Sequence, residues 1–161
     1  MDLRIVPERS IVRVEARAPL HSTHAEGRAL SGTVTVDPAD PARSLAMDVT
    51  AELVAIRSGD SLLDAKSQSH VDSARYPTAR FVLAKASGTP AALRVEGTIS
   101  WRGRDVRLST TARAELGEHE ARGQASFELD MRSFGLTAPK LLLLMVQDVV
   151  KIDVDLVAVP R

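Results

Sequence analysis

Two histidines stand close together in the stretch His21-Ser22-Thr23-His24, and a third, His70, lies further along the chain. Imidazole is the commonest side-chain metal ligand, so these three are the candidates for an ion site. No carboxylate or thiolate accompanies the pair at ligand spacing, and the chain has no cysteine. That removes thiol chemistry, disulfides and cysteine-held zinc. Ser22, His24 and a remote aspartate would supply a nucleophile, a base and an orienting acid. The strand-turn-helix setting that exposes a nucleophilic serine is missing around them. Arg75 and the Arg102-Gly103-Arg104 turn could grip an anionic head group, but arginine is the prevailing cation throughout, so solvated turn charges are the better explanation. The expectation is no catalytic residue, no metal and no cofactor.

The elements that would position these residues follow a period of two. From Ile11 to Ala18, Val12, Val14, Ala16 and Ala18 fall on one face, and Arg13, Glu15 and Arg17 on the other. Such alternation marks a half-buried strand. It returns with Leu30–Val36, Leu45–Leu53, Ala79–Leu83, Leu93–Trp101, Val106–Ala112, Ala121–Met131 and Val150–Ala158, which makes eight strands. Turn chemistry separates them: Pro38-Ala39-Asp40-Pro41, Gly88-Thr89-Pro90, Arg102-Gly103-Arg104 and Gly117-Glu118-His119. Short links imply antiparallel neighbours. Ser58–His70 has no period of two and reads as a short helix capped by Ser58 or Asp60, with Pro77 ending the excursion.

Eight such strands close into a barrel or stack as a sandwich. Their length and simple up-and-down links favour an all-β, eight-stranded antiparallel barrel with a short helical insertion. A barrel of this size is either filled by its own side chains or holds one small ligand. The inward phase supplies the candidate binding residues: Val34 and Val36; Met47, Val49 and Leu53; Phe81 and Leu83; Val95, Ile99 and Trp101; and Ala125, Phe127 and Leu129. Many neighbours on that phase are tiny, among them Ala16, Gly32, Ala51, Ala79, Gly97, Ala112, Gly123 and Ala158. An apolar interior so short of volume is either collapsed or occupied, because proteins pack to crystal-like density. Thr110 is the main polar group on that face. Titratable side chains fall on the outward phase, which argues against an enzyme.

After Pro139 comes an apolar run, Leu141 to Val146. Six consecutive apolar residues cannot all face one interior from a strand. They would form a lid helix, an apolar portal, a self-association surface that makes the protein a homodimer, or a buried start to the last strand. Leu143 therefore joins the binding candidates. A filled barrel that self-associates through this run is the competing reading. The whole chain, 1–161, reads as one domain, with 44% hydrophobic and 26% charged residues and zero formal net charge. Neutrality gives no support for nucleic acid as a partner. No apolar stretch approaches membrane-spanning length. The first residues lack the basic-then-apolar pattern of an export signal, so a cytoplasmic location is expected.

Four segments resemble the YceI-like family of lipid- or polyisoprenoid-binding proteins. Asp72-Ser73-Ala74-Arg75-Tyr76-Pro77 with Phe81 resembles its D-x-x-x-(Y)P…F element. Val95 to Gly103 is similar to its v-x-G-x-L-t-x-x-G hairpin. Met131-Arg132-Ser133-Phe134-Gly135-Leu136 resembles its R-x-d-F-G-i motif, and Asp148 to Ile152 its closing strand. The resemblance implies a lipocalin-like barrel with a helical insertion, whose long apolar cavity takes an isoprenoid chain. On that basis the expected function is binding, sequestration or transport of an elongated apolar molecule, an isoprenoid or related lipid.

Overall fold

The structure, a computed structural model, describes residues 1–17, 22–137, 140–141, 144–145 and 148–161. Its strands are β1 (Asp2–Ile5), β2 (Ile11–Arg17), β3 (Ser22–Gly27), β4 (Leu30–Thr35), β5 (Ala46–Glu52) and β6 (Thr78–Thr89). They continue with β7 (Ala92–Trp101), β8 (Arg104–Leu116), β9 (Ala121–Asp130), β10 (Lys140–Leu141), β11 (Leu144–Met145) and β12 (Val149–Pro160). Among the described residues two α-helices interrupt them, α1 (Pro41–Ser44) and α2 (Ser61–Val71). The order β1-β4-β5-β6-β7-β8-β9-β12 returns to β1 through a β1–β12 pairing, which closes an eight-stranded antiparallel barrel. β2 and β3 are two extra strands on the other side of that seam.

All eight strands expected from alternation are present, but the barrel does not close through the expected set. β2 pairs with the first half of β12, Ala16 opposite Val150 through Ile11 opposite Asp155. The second half of β12 pairs instead with β1, Ile5 opposite Ala158 through Leu3 opposite Pro160. The chain changes strand at the 3-10 turn Pro7–Arg9, and proline, which lacks an N–H, suits that first helical position. Ser10 secures the change. Its buried hydroxyl accepts from the Val157 N–H at 3.0 Å and donates to the Val6 carbonyl at 2.8 Å. β1 is too short for a periodicity reading, and β3, which carries His24, lies outside the eight strands that alternation predicts.

Local chemistry fixes the rest. Asp60 is the N-cap of α2, its carboxylate accepting from Leu62 N and Leu63 N at 3.1 Å each. Arg102 and Gly103, both at positive φ, make the two-residue turn between β7 and β8, with Trp101 opposite Arg104. The register of β6 against β7 slips between Leu83 and Lys85, a β-bulge that bends the wall. One core cluster gathers Leu3, Ile5, Val34, Val36 and Ala158 around the β1 seam. A second gathers Ile99, Trp101, Phe134 and Leu136, with Trp101 and Phe134 rings 5.3 Å apart. In the leucine run, Lys140–Leu141 pairs antiparallel with Leu144–Met145 rather than forming a helix. Leu143 lies outside the described residues.

Candidate functional site: an apolar cavity inside the barrel

Inside the barrel is a cavity of about 470 Å³. Every strand of the closed barrel except β1 contributes to its wall, and so do β2 and β3. Of the residues singled out by alternation, Val34 and Val36 from the β4 side line it, as do Met47 and Val49 on β5. Leu53 lines it from the 3-10 turn just past β5. Phe81 on β6, and Val95, Ile99 and Trp101 on β7, line the opposite side. Ala125, Phe127 and Leu129 form the β9 wall. Between them Ala16, Ala51, Ala79, Ala112, Gly123 and Ala158 leave stretches of wall with little or no side chain.

Leu83 does not line the cavity. It stands opposite Gly97, immediately before the β6–β7 bulge, and the Phe81 ring lies over that glycine. Gly97 and Gly32 are likewise not part of the wall. A Cβ on Gly32 would fall 2.0 Å from the Asp48 carbonyl, so that glycine serves close strand approach rather than cavity space.

Alternation also missed a whole side of the site. Leu63, Ser67 and Val71 of α2 line the cavity with Asp64, Gln68 and His70. Leu63, Ser67 and Val71 recur every four residues, the spacing of one helix face, and this was the available signal. The interior is thus more polar at this edge than Thr110 alone would make it. Most of these groups are engaged by protein, though the buried Gln68 Oε1 has no hydrogen-bond partner. Asp64 accepts from the Ser58 N–H and hydroxyl at 2.8 Å each, which lowers its pKa below the ordinary carboxylate value. Gln68 Nε2 donates to the Leu53 carbonyl at 3.0 Å, and His70 Nε2 meets the Thr137 carbonyl at 2.8 Å. Thr110 Oγ1 donates to the Ser126 carbonyl at 3.1 Å. His24 is exposed on β3, and among the described residues no three His, Asp or Glu side chains are grouped to hold a metal ion. Arg102 is spent locally, its Nη1 donating to the Val71 carbonyl at 2.6 Å and its guanidinium lying 4.7 Å from the Tyr76 ring centroid. No described helix is long and apolar enough to cross a membrane.

An antiparallel barrel closed around one apolar cavity, with a helix set into its rim, defines a class of small ligand-holding barrels. The chain belongs to the YceI-like family, whose domain model matches residues 3–158. The fold is that of BcnA from Burkholderia cenocepacia, with a TM-score of 0.84 at 18% identity over 95% of this chain and 98% of that one. It is also that of a polyisoprenoid binding domain from Saccharophagus degradans, implicated in plant cell wall breakdown, at TM-score 0.80 and 13% identity. That match covers 99% of this chain and 98% of the other. The Campylobacter jejuni YceI protein matches at 0.69 with 15% identity, over 84% and 83% of the two chains. Among curated proteins none matches this sequence.

Proposed function

We propose that the protein binds an elongated apolar small molecule, an isoprenoid or related lipid, within the barrel, and sequesters or carries it without transforming it. The observation that supports this most is the cavity itself. Its volume of about 470 Å³ falls in the roughly 300–1,000 Å³ range of small-molecule sites. Its wall is built mainly from Val, Leu, Ile, Met, Phe and Ala side chains, with polar groups gathered at the α2 edge. A void of that size left empty would forfeit dispersion contacts along its whole lining, so an apolar occupant is stabilising. A filled, self-associating barrel does not account for that space. At the α2 edge Asp64 is tied to Ser58 and His70 to the Thr137 carbonyl, so these two do not form a matched acid and base facing a substrate. The polyisoprenoid binding of the Saccharophagus degradans domain points to the same ligand class.

Organic extraction of the purified protein, followed by mass spectrometry, is the direct test. A near-stoichiometric long-chain apolar molecule, absent from an extract of a control protein purified alongside, is the expected result. An empty extract, together with no uptake of any lipid probe, would defeat the reading.

A further inference from the structure

The wall of the barrel is not equally continuous all round. β7 and β8 pair without interruption from Leu93 opposite Ala112 to Trp101 opposite Arg104. β9 and β12 pair from Val149 opposite Asp130 to Ala158 opposite Ala121. β8 and β9, by contrast, pair only over Ala112–Leu116 against Ala121–Ala125. From Thr111 back to Arg104 on one strand, and from Ser126 on to Asp130 on the other, the facing edges share no ladder. Among the described residues the β8–β9 pairing ends at Ala112 opposite Ala125. A side chain ties the two edges across the parting, the Thr110 hydroxyl bonded to the Ser126 carbonyl. At its far end the parting is stopped by the turn after β9, where Gly135 sits against the Arg104 guanidinium.

Cavity and solvent are close together here. Leu108, Thr110, Phe127 and Leu129 border the cavity from the inner side of the parting. On the outer side a groove runs past Thr111, Arg113, Gln124 and Ser126. Ala112 and Ala125, the last paired residues of the two strands, border both the groove and the cavity. Two methyl-sized side chains at the head of an unladdered seam make this a thin part of the wall. Separating any fully laddered pair of strands breaks a row of backbone hydrogen bonds, whereas parting these edges further breaks the Thr110 tie.

We propose that an elongated apolar ligand passes into and out of the cavity sideways, between β8 and β9, rather than along the barrel axis. This rests on the carrier reading above and adds the route. The apolar inner edges of Leu108, Phe127 and Leu129 receive the chain as it leaves water, and the polar outer groove suits the trailing end of an amphiphile.

The absence of native cysteine makes the test clean. Ser109 and Glu128 are exposed and face one another if the register of Ala112 and Ala125 is continued along the seam. A Ser109→Cys/Glu128→Cys variant is bridged with a short bis-maleimide, and an unbridged sample is capped with N-ethylmaleimide. Uptake of cis-parinaric acid is followed by stopped-flow fluorescence. A Thr98→Cys/Arg107→Cys variant, bridged across a continuous ladder, is the control. The bridge over the seam is expected to slow uptake by about tenfold or more with the final amplitude kept. The capped sample and the bridged control are expected to keep the rate of the unmodified protein. Unchanged uptake through a bridged seam, or equal slowing by both bridges, would overturn the lateral route while leaving the carrier reading standing. No uptake by the unmodified protein would overturn both.

Discussion

A Cβ placed on Gly97 would meet Cε2 and Cζ of Phe81 and the Val82 carbonyl, each at 2.5 Å. The small residues of the inward phase therefore have two different reasons to be small. Ala112, Gly123 and Ala125 border the cavity, and a Cβ on Gly123 would find nothing nearer than Leu156 Cγ at 3.5 Å. Gly97 and Gly32 instead admit a neighbour that would otherwise collide. Sequence alone does not separate the two, because a strand pattern records which face a residue is on and not what stands over it. The distinction is measurable. Gly97→Ala should destabilise the protein by about 1–3 kcal/mol, the usual cost of overpacking a filled site, seen as a lower urea midpoint at unchanged slope. Phe81→Leu in the same chain should recover only part of the loss, since the Val82 carbonyl belongs to the backbone and stays. A Gly97→Ala protein as stable as the parent would show that the space over this glycine is slack.

Among the elements, those with strong periodicity were legible and those defined by tertiary pairing were not. Eight strands, the Asp60-capped helix and the Arg102-Gly103 turn follow from alternation, capping and turn chemistry, although β6 runs past the expected Leu83 to Thr89, through the bulge where its alternation breaks. β1 and β3 do not, because Asp2–Ile5 is too short to show a period and Ser22–Gly27 alternates with little apolar content. Their strand character comes from the partners, β12 and β4 for β1 and β2 for β3. The exchange of β2 for β1 along β12 turns on Ser10, a residue that no hydrophobic pattern would single out. Ser10→Ala removes the acceptor for the Val157 N–H and the donor to the Val6 carbonyl in a fully buried position. A buried backbone donor left unsatisfied costs about 1–3 kcal/mol. Ser10→Ala should therefore lower the urea midpoint by a corresponding amount and speed amide exchange at Val157. A loss below about 0.5 kcal/mol, typical of surface substitutions, would mean that the seam is held by the ladders alone.

For the molecule as a whole, sequence reasoning located the cavity but drew it as a set of strand faces. The structure adds the inner side of α2 and, from β3, Thr23 and Ala25, so the site is a barrel plus a rim. Strand alternation could not reach α2 because a helix repeats about every 3.6 residues, and the Leu63-Ser67-Val71 face is weakly marked with Ser67 on it and Leu62 64% exposed beside it. What remains to separate is a carrier from a barrel that merely packs poorly. Ala125 bears on that choice, since it faces the cavity between Ala112 on β8 and Val154 on β12, both modest in volume. In a close-packed core a large side chain there would cost about 1–3 kcal/mol through displaced neighbours and poor rotamers. Over empty or ligand-filled space it instead gains contacts and takes the ligand's place. Ala125→Phe is expected to leave the unfolding midpoint of the lipid-free protein unchanged or raised, and to abolish lipid in the organic extract. Marked destabilisation of the lipid-free form would show an interior already full. A tolerated Phe with lipid still bound would place the ligand toward the α2 end, among Leu53, Leu63 and Val71, away from the β8–β9 wall.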